Sequence, residues 1–317
     1  MRKIVHLLFL VVLLINVACS ATGTPSIPSI VATSTITPVL TATSTLSPVP
    51  TLTNTATLAA TQTPRPGSQS PSVPTWTPLP TLSAEDARAF VQQLLDTNAG
   101  CQLPCWWGIT PGQTTWYEAQ HFLEPFALGI YLRTLEDQSQ VGEVYIPTPI
   151  DVPYINRLEQ TYRIRDGVVE SIQTYNYEIL ATWYYMPNIL EVYGQPSEVG
   201  ISTYRNEFNG SRPTSTILFY ADRGIMLEYV GGGSVHTVGE DVQICPLWTY
   251  NFIYLWSPAL ELTFDEAVNL FLDTENLPYP RRLQDATDMS LEVFYQTYSD
   301  PNTTTCLETP VNLWPVY

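Results

Sequence analysis

The sequence predicts an α+β fold: two helix-plus-antiparallel-hairpin modules packed together, preceded by a disordered Thr/Pro-rich stalk. Three observations lead to this fold class. Capping residues precede apolar positions at helical spacing, tight-turn residues separate runs of β-type residues, and the order of helix followed by strands occurs twice. The predicted globular α+β region covers residues 83–317, with sub-modules at 83–178 and 179–317.

A short apolar segment near the N-terminus predicts an export signal. Arg2 and Lys3 precede the apolar residues 4–15, which only His6 interrupts. At about 1.5 Å per residue this segment covers about 18 Å, less than the roughly 30 Å hydrocarbon core of a membrane. We therefore predict a cleaved signal peptide over residues 1–18 and no membrane-spanning helix there.

The end of this segment resembles the lipobox of bacterial lipoproteins. Val17 and Ala18 stand before Cys19, and in that family the cysteine becomes the first residue and carries diacylglycerol. The resemblance implies a lipid anchor on Cys19 and a place in the bacterial cell envelope, facing outside the cytoplasm. Two or three acyl chains would hold the protein firmly at the membrane. The alternative is plain secretion after cleavage at Ala18 or Ala21.

The region after the anchor has the composition of a disordered linker. Residues 20–82 contain 17 Thr, 11 Pro and 9 Ser, with Arg65 as the only charge and Trp76 as the only aromatic residue. Such a segment buries too little apolar surface to offset its ordering entropy. We predict a lipid-anchored linker over 19–82, spanning about 45 Å as a coil or about 195 Å as polyproline helix. An O-glycosylated stalk is an alternative.

The charge balance excludes several classes of function. Without the leader the chain has 11 Arg, no Lys and all 30 carboxylates, a formal charge near −19. Nothing in this composition neutralises phosphates, so nucleic-acid binding is excluded, and a polybasic membrane patch is a poor interpretation. A lysine Schiff base and a phosphate-binding P-loop lysine are impossible.

Helix starts and stops are the clearest local signals in the globular region. Ser83, Thr115 and Thr263 each precede an acidic residue three positions later, which is the pattern of a capping box. A fourth helix is predicted from Pro187 to Gly194, with Pro196 beyond it, and a last one over residues 291–298.

Two hairpins are predicted between the helices. Asp166-Gly167 joins strands at 161–165 and 168–175, and this dipeptide favours a two-residue hairpin turn. The segment Asp222-Arg223-Gly224 joins strands at 216–221 and 225–230.

Two segments resemble known small modules. Gly112-Gln-Thr-Thr115 opens a helix, and Tyr193-Gly-Gln-Pro196 closes one before a hairpin. Both are similar to the small lipoprotein modules of the outer-membrane barrel-assembly machinery and to the related β-lactamase-inhibitor-like fold. The stretch 101–112 resembles uncharacterised exported bacterial proteins. These resemblances imply a fold and no particular chemistry.

Four cysteines remain after Cys19, an even number in an exported chain. Cys101, Cys105, Cys245 and Cys306 therefore predict two disulfides, most simply Cys101–Cys105 and Cys245–Cys306, although three pairings exist. A four-cysteine zinc site is the alternative. A redox role for Cys101 and Cys105 is a further alternative.

A run of alternating aromatic residues suggests either core or a binding surface. In a strand, all five would lie on one face: Trp248, Tyr250, Phe252, Tyr254 and Trp256. Such a face is usually core. The functional alternative is a platform that stacks on sugar rings, with Trp106 and Trp107 contributing.

The sequence assigns no catalytic residue, no metal site and no cofactor. After the leader only His121 and His236 remain, and Ser234 precedes His236 without a Gly-x-Ser-x-Gly elbow. We therefore predict an acidic module that binds an unidentified ligand, with a glycan or an envelope protein as candidate partners. The alternatives are a carbohydrate-active or other hydrolase that uses Asp or Glu, and an envelope-assembly scaffold.

Overall fold

The structure is a computed structural model that describes residues 81–316, with gaps at 153–154, 178–181, 206–210, 232–234, 246–249 and 273–277. The predicted signal peptide, Cys19 and residues 19–80 of the predicted stalk lie outside the described residues. Where it is described, the globular region is α+β, with helices and a large antiparallel sheet, which is the predicted class.

The helices are short and lie close to their predicted positions. The described residues form α1 (Ala84–Thr97), α2 (Trp116–Leu123), α3 (Met186–Tyr193), α4 (Phe264–Phe271), α5 (Leu283–Ala286) and α6 (Leu291–Tyr298). Complete capping boxes start α2 and α4, at Thr115 and Thr263. Before α1, the Ser83 hydroxyl caps the amide of Asp86 and donates a hydrogen bond to its carboxylate at 2.7 Å.

The strands form one large sheet and one small sheet. They are β1 (Gly129–Thr134), β2 (Gln140–Val152), β3 (Ile155–Arg165), β4 (Val168–Tyr177), β5 (Glu198–Thr203), β6 (Thr214–Tyr220), β7 (Ile225–Gly231), β8 (Val235–Val238), β9 (Asp241–Ile244), β10 (Tyr250–Trp256), β11 (Arg281–Arg282) and β12 (Leu307–Pro310). The large sheet has nine strands in the order β1-β2-β3-β4-β10-β7-β6-β5-β11, and β12, β9 and β8 form the small sheet.

The large sheet runs through both predicted sub-modules. Strand β4 belongs to 83–178 and pairs antiparallel with β10, which belongs to 179–317, from Tyr177 opposite Tyr250 to Ser171 opposite Trp256. Strands β1–β4 therefore continue directly into β10, β7, β6 and β5. The division of this region into two modules remains a prediction.

Both predicted hairpin turns are present. Asp166 and Gly167 have φ values of 52° and 78°, the left-handed conformation that a two-residue turn between twisted strands requires. The turn between β6 and β7 ends at Gly224, with φ 66°. A Cβ atom there would collide with the carbonyl oxygen of Trp256, so this position requires glycine.

The two faces of the large sheet carry separate cores. Leu218, Leu227 and Leu255 point to the larger core, which includes helices α1 and α3. Their sequence neighbours Ile217 and Met226 point the opposite way, because side chains alternate along a strand. On that second face the small core is completed by residues of α4: Phe264, Ala267 and Val268.

None of the described helices combines the length and apolar character needed to cross a bilayer.

Candidate binding cavity

A cavity of about 460 Å³ lies on the second face of the large sheet, beside the end of α4. Its volume is within the range of small-molecule sites in proteins. Strands β6, β7 and β10 form its base. The described residues that line it are Gln173, Ser202, Tyr204, Pro213, Thr214, Ser215, Ile217, Glu228, Val230, Phe252, Tyr254, Phe271, Leu272, Pro278 and Pro280.

Strand alternation explains why these residues meet. Ile217 on β6 lies opposite Glu228 on β7, and Glu228 lies opposite Phe252 on β10. Ser215 and Tyr254 are each two positions from these register partners and are therefore diagonal neighbours of Glu228 on the same face. The sheet register alone brings the five side chains together.

Glu228 is the one carboxylate among the described lining residues. The hydroxyl of Ser215 donates a hydrogen bond to one of its oxygens at 2.7 Å, and the hydroxyl of Tyr254 donates to the other at 3.2 Å. Burial raises the pKa of Glu228, and the two hydroxyl donors act in the opposite direction because they stabilise the charged form. A partly buried acid at the base of a mostly apolar cavity is a common feature of functional sites.

Aromatic rings line the cavity together with this acid. Phe252 and Tyr254 stack with ring centroids 6.2 Å apart and an interplanar angle of 22°. Tyr254 also contacts Phe271 of α4 at 5.3 Å. Tyr254 is 3% exposed, so its ring serves mainly as packing while its hydroxyl holds Glu228.

Three of the predicted ligand-stacking residues are core residues instead. Trp106 and Trp107 are each 1% exposed and stack on each other at 5.3 Å in the larger core. Trp256 is fully buried and stacks on Phe219 at 5.8 Å. A ligand cannot stack on these rings in this structure, because neighbouring side chains cover them.

The remaining members of the predicted aromatic surface divide into two groups. Tyr254 does line the cavity, as described above. Trp248 and the side chain of Tyr250 lie outside the described residues. The same holds for Ser234 and the side chain of His236, the hydroxyl and imidazole considered for hydrolysis. The alternation itself holds along β10, where Phe252, Tyr254 and Trp256 share one face.

The cysteines pair in the simplest predicted way. The structure joins Cys101 to Cys105 and Cys245 to Cys306. Thiols held in disulfides cannot act as thiolate ligands, so this pairing contradicts the four-cysteine zinc alternative. The Cys245–Cys306 bond ties the end of β9 to the start of β12, next to the pairing of Ile244 with Leu307.

A second group of acidic residues lies near α4, outside the cavity. Arg282 donates hydrogen bonds at 2.8 Å to both Glu198 and Asp265. Arg282 holds the pKa of Asp265 below its usual range, so this carboxyl group stays charged. Both carboxylates are engaged in ion pairs at the surface, an arrangement suited to structural support.

Sequence reasoning did not single out Glu228, although the signal was present. The segment Ile225-Met-Leu-Glu-Tyr-Val230 contains one charged residue in a predicted strand with apolar residues on both faces. A charge in such a strand needs partners when it is buried. The Ser215 hydroxyl comes from β6, the partner of β7 in the predicted hairpin, whereas the Tyr254 hydroxyl comes from β10, which no local pattern connects to this position.

No protein-family model matches the chain, and neither a curated protein nor a solved structure matches it.

Proposed function

We propose that this protein is a lipid-anchored bacterial envelope protein whose acidic extracytoplasmic domain binds a small, largely apolar molecule. The lipobox-like Val17-Ala-Cys19 and the Thr/Pro-rich segment 19–82 support the anchor and the stalk. The observation that carries the binding function is the cavity, because it combines apolar and aromatic walls with one carboxylate at its base.

The test of cavity binding uses a neutral hydrophobic probe, N-phenyl-1-naphthylamine, whose fluorescence rises in apolar surroundings. We expect saturable one-to-one binding to the wild-type protein. Val230→Trp fills the cavity and should abolish it, whereas Val238→Trp introduces the same ring at a position that is 53% exposed and should leave it unchanged. Equal binding by the Val230→Trp variant would place the probe elsewhere and defeat the proposal.

The anchor requires a separate measurement. Mass spectrometry of the protein purified from a bacterial membrane fraction should find a mature N-terminus at Cys19 with diacylglycerol attached. Cys19→Ala should release the protein from the membrane without altering probe binding. An unprocessed N-terminus in the cytosol would contradict the proposal.

A hydrolase is the second candidate, and one observation favours it. A carboxyl group with a raised pKa inside a cavity is typical of a general acid. A glycoside hydrolase also needs a second carboxylate within about 5–10 Å, and the described lining residues contain only Glu228. A substrate panel of glycosides and esters tests this candidate. Turnover that is lost in Glu228→Gln would favour the hydrolase over the binding module.

The scaffold alternative predicts co-purification with envelope proteins.

A further inference from the structure

We propose that the cavity is selective for an organic cation, an ammonium group carried on an apolar body, with the ammonium group against Glu228. This inference rests on the proposed binding function and specifies its ligand class.

Glu228 has no cationic partner among the described residues. Each Glu228 oxygen accepts one hydroxyl hydrogen bond, from Ser215 or from Tyr254. A carboxylate oxygen has two lone pairs, so each oxygen keeps one lone pair that a cationic group can approach. The described lining residues include no Arg, Lys or His, and none of the ion pairs found in the described part of the chain involves Glu228. Burial destabilises a carboxylate, and the two hydroxyl donors offset that effect only in part. A ligand can supply the cation that the described residues do not.

Aromatic and apolar side chains form much of the cavity wall. Phe252 lies opposite Glu228 in the sheet, and Phe271 lines the same cavity. Aromatic rings attract ammonium groups through their quadrupoles. Ile217, Val230 and Leu272 add an apolar surface for the body of the ligand. The formal charge of −17 for the whole chain also favours the approach of cations over anions.

Two other ligand classes fit the cavity less well. A bare divalent cation such as Ca²⁺ takes about six to eight oxygen ligands. The described residues contain no group of three or more His, Cys, Asp or Glu side chains arranged to hold a metal ion. A free sugar exposes hydroxyl groups all round and needs many hydrogen-bonding partners, whereas most of the side chains lining this cavity are apolar or aromatic.

The test compares two probes of nearly the same shape, benzyltrimethylammonium and its uncharged isostere neopentylbenzene, by calorimetric titration at neutral pH. We expect the wild-type protein to bind the cation at least about tenfold more tightly than the isostere, a difference of about 1.4 kcal/mol. Glu228→Gln should remove that preference while it retains binding of the isostere. The matched control, Glu240→Gln, makes the same change of charge at an exposed position outside the cavity and should keep the preference.

The outcomes separate this inference from the proposed function. Equal affinity of the wild-type protein for both probes, or a preference that persists in Glu228→Gln, would overturn the cation inference and leave cavity binding intact. Binding that Val230→Trp does not weaken would overturn both. Failure of the wild-type protein to bind the cation would overturn the inference. Binding of N-phenyl-1-naphthylamine would then show separately whether the cavity accepts an apolar molecule.

Discussion

The hydroxyl of Tyr254 donates a hydrogen bond to the carboxylate of Glu228 at 3.2 Å, although the two residues are two positions out of register on neighbouring strands. Ser215 makes the equivalent diagonal contact from the strand on the other side of Glu228. The carboxylate is therefore held in a fixed position by both neighbouring strands. A side chain held in this way is preorganised for ligand binding, because it loses little conformational entropy when the ligand binds.

The raised pKa of Glu228 predicts a specific dependence of stability on pH. The unfolded chain has a Glu pKa near 4.5, and burial raises it in the folded state. Between pH 4.5 and the folded pKa, the folded state therefore binds more protons than the unfolded state. The free energy of unfolding contributed by Glu228 falls as pH rises through this interval. Compared with Glu228→Gln, the wild-type protein should lose thermal stability over that interval and then reach a plateau.

The measurement is the difference in Tm between the two proteins from pH 4 to pH 8, without ligand. Glu240→Gln serves as the control, because it makes the same change of charge at an exposed position outside the cavity. A wild-type protein that gained stability relative to Glu228→Gln over the same interval would show that the hydroxyl donors outweigh burial.

The close approach of Trp116 to Gly142 predicts a large effect of a single methyl group. A Cβ atom at Gly142 would lie 2.5 Å from the ring of Trp116, which is 7% exposed and has little room to move. Gly142→Ala should reduce the free energy of unfolding by about 1–3 kcal/mol, because overpacking displaces neighbouring side chains. Urea denaturation measures the change.

Gly129→Ala is the control for this substitution. Gly129 is also in the large sheet, but the three atoms nearest to its added methyl group belong to the side chain of Tyr131, which is 60% exposed and can swing aside. We expect a change of less than about 0.5 kcal/mol. Equal effects of the two substitutions would refute the packing argument.

Local elements of this fold could be predicted from the sequence because short-range chemistry decides them. Thr115 and Thr263 start helices through hydrogen bonds within four residues, and Asp166-Gly167 forms a turn through its own φ values. The alternation of Phe252, Tyr254 and Trp256 on one face follows from strand geometry. None of these features depends on distant residues.

The candidate site could not be predicted, because it depends on strand order. Strand β10 pairs with β4 and β7, although residues 178–249 separate it from β4 and residues 232–249 separate it from β7. That pairing decides which side chains face Glu228. The burial of Trp106 and Trp107 is also non-local, because Tyr184 and Phe126 cover them from other parts of the sequence.

The two disulfides should contribute unequally to stability. Cys245–Cys306 closes a loop with a sequence separation of 61, against 4 for Cys101–Cys105. The chain-entropy relation gives about 4 kcal/mol for the long loop and about 2 kcal/mol for the short one. Paired Cys→Ser variants, compared by urea denaturation, should show the larger loss for Cys245 and Cys306. A larger loss for the short loop would show that interactions in the folded state dominate.

The side chain of Asn98 holds residues 98–107 in place through hydrogen bonds to three backbone groups. Its side-chain nitrogen donates hydrogen bonds to the carbonyl oxygens of Cys101 and Cys105 at 2.9 and 2.8 Å, and its oxygen accepts one from the amide of Trp107 at 2.8 Å. Asn98 is 3% exposed, so Asn98→Ala leaves three backbone groups without partners. We expect a loss of about 2–4 kcal/mol in the free energy of unfolding.

The φ value of 47° at Asn98 offers a competing explanation, because alanine is strained in that conformation. Asn98→Gly removes the side-chain hydrogen bonds without this strain, and it should be nearly as destabilising as Asn98→Ala. Asn302→Ala, at an exposed turn, should change stability by less than about 0.5 kcal/mol. If Asn98→Gly has wild-type stability in urea, the left-handed backbone and not the hydrogen-bonded side chain explains why asparagine stands at this position.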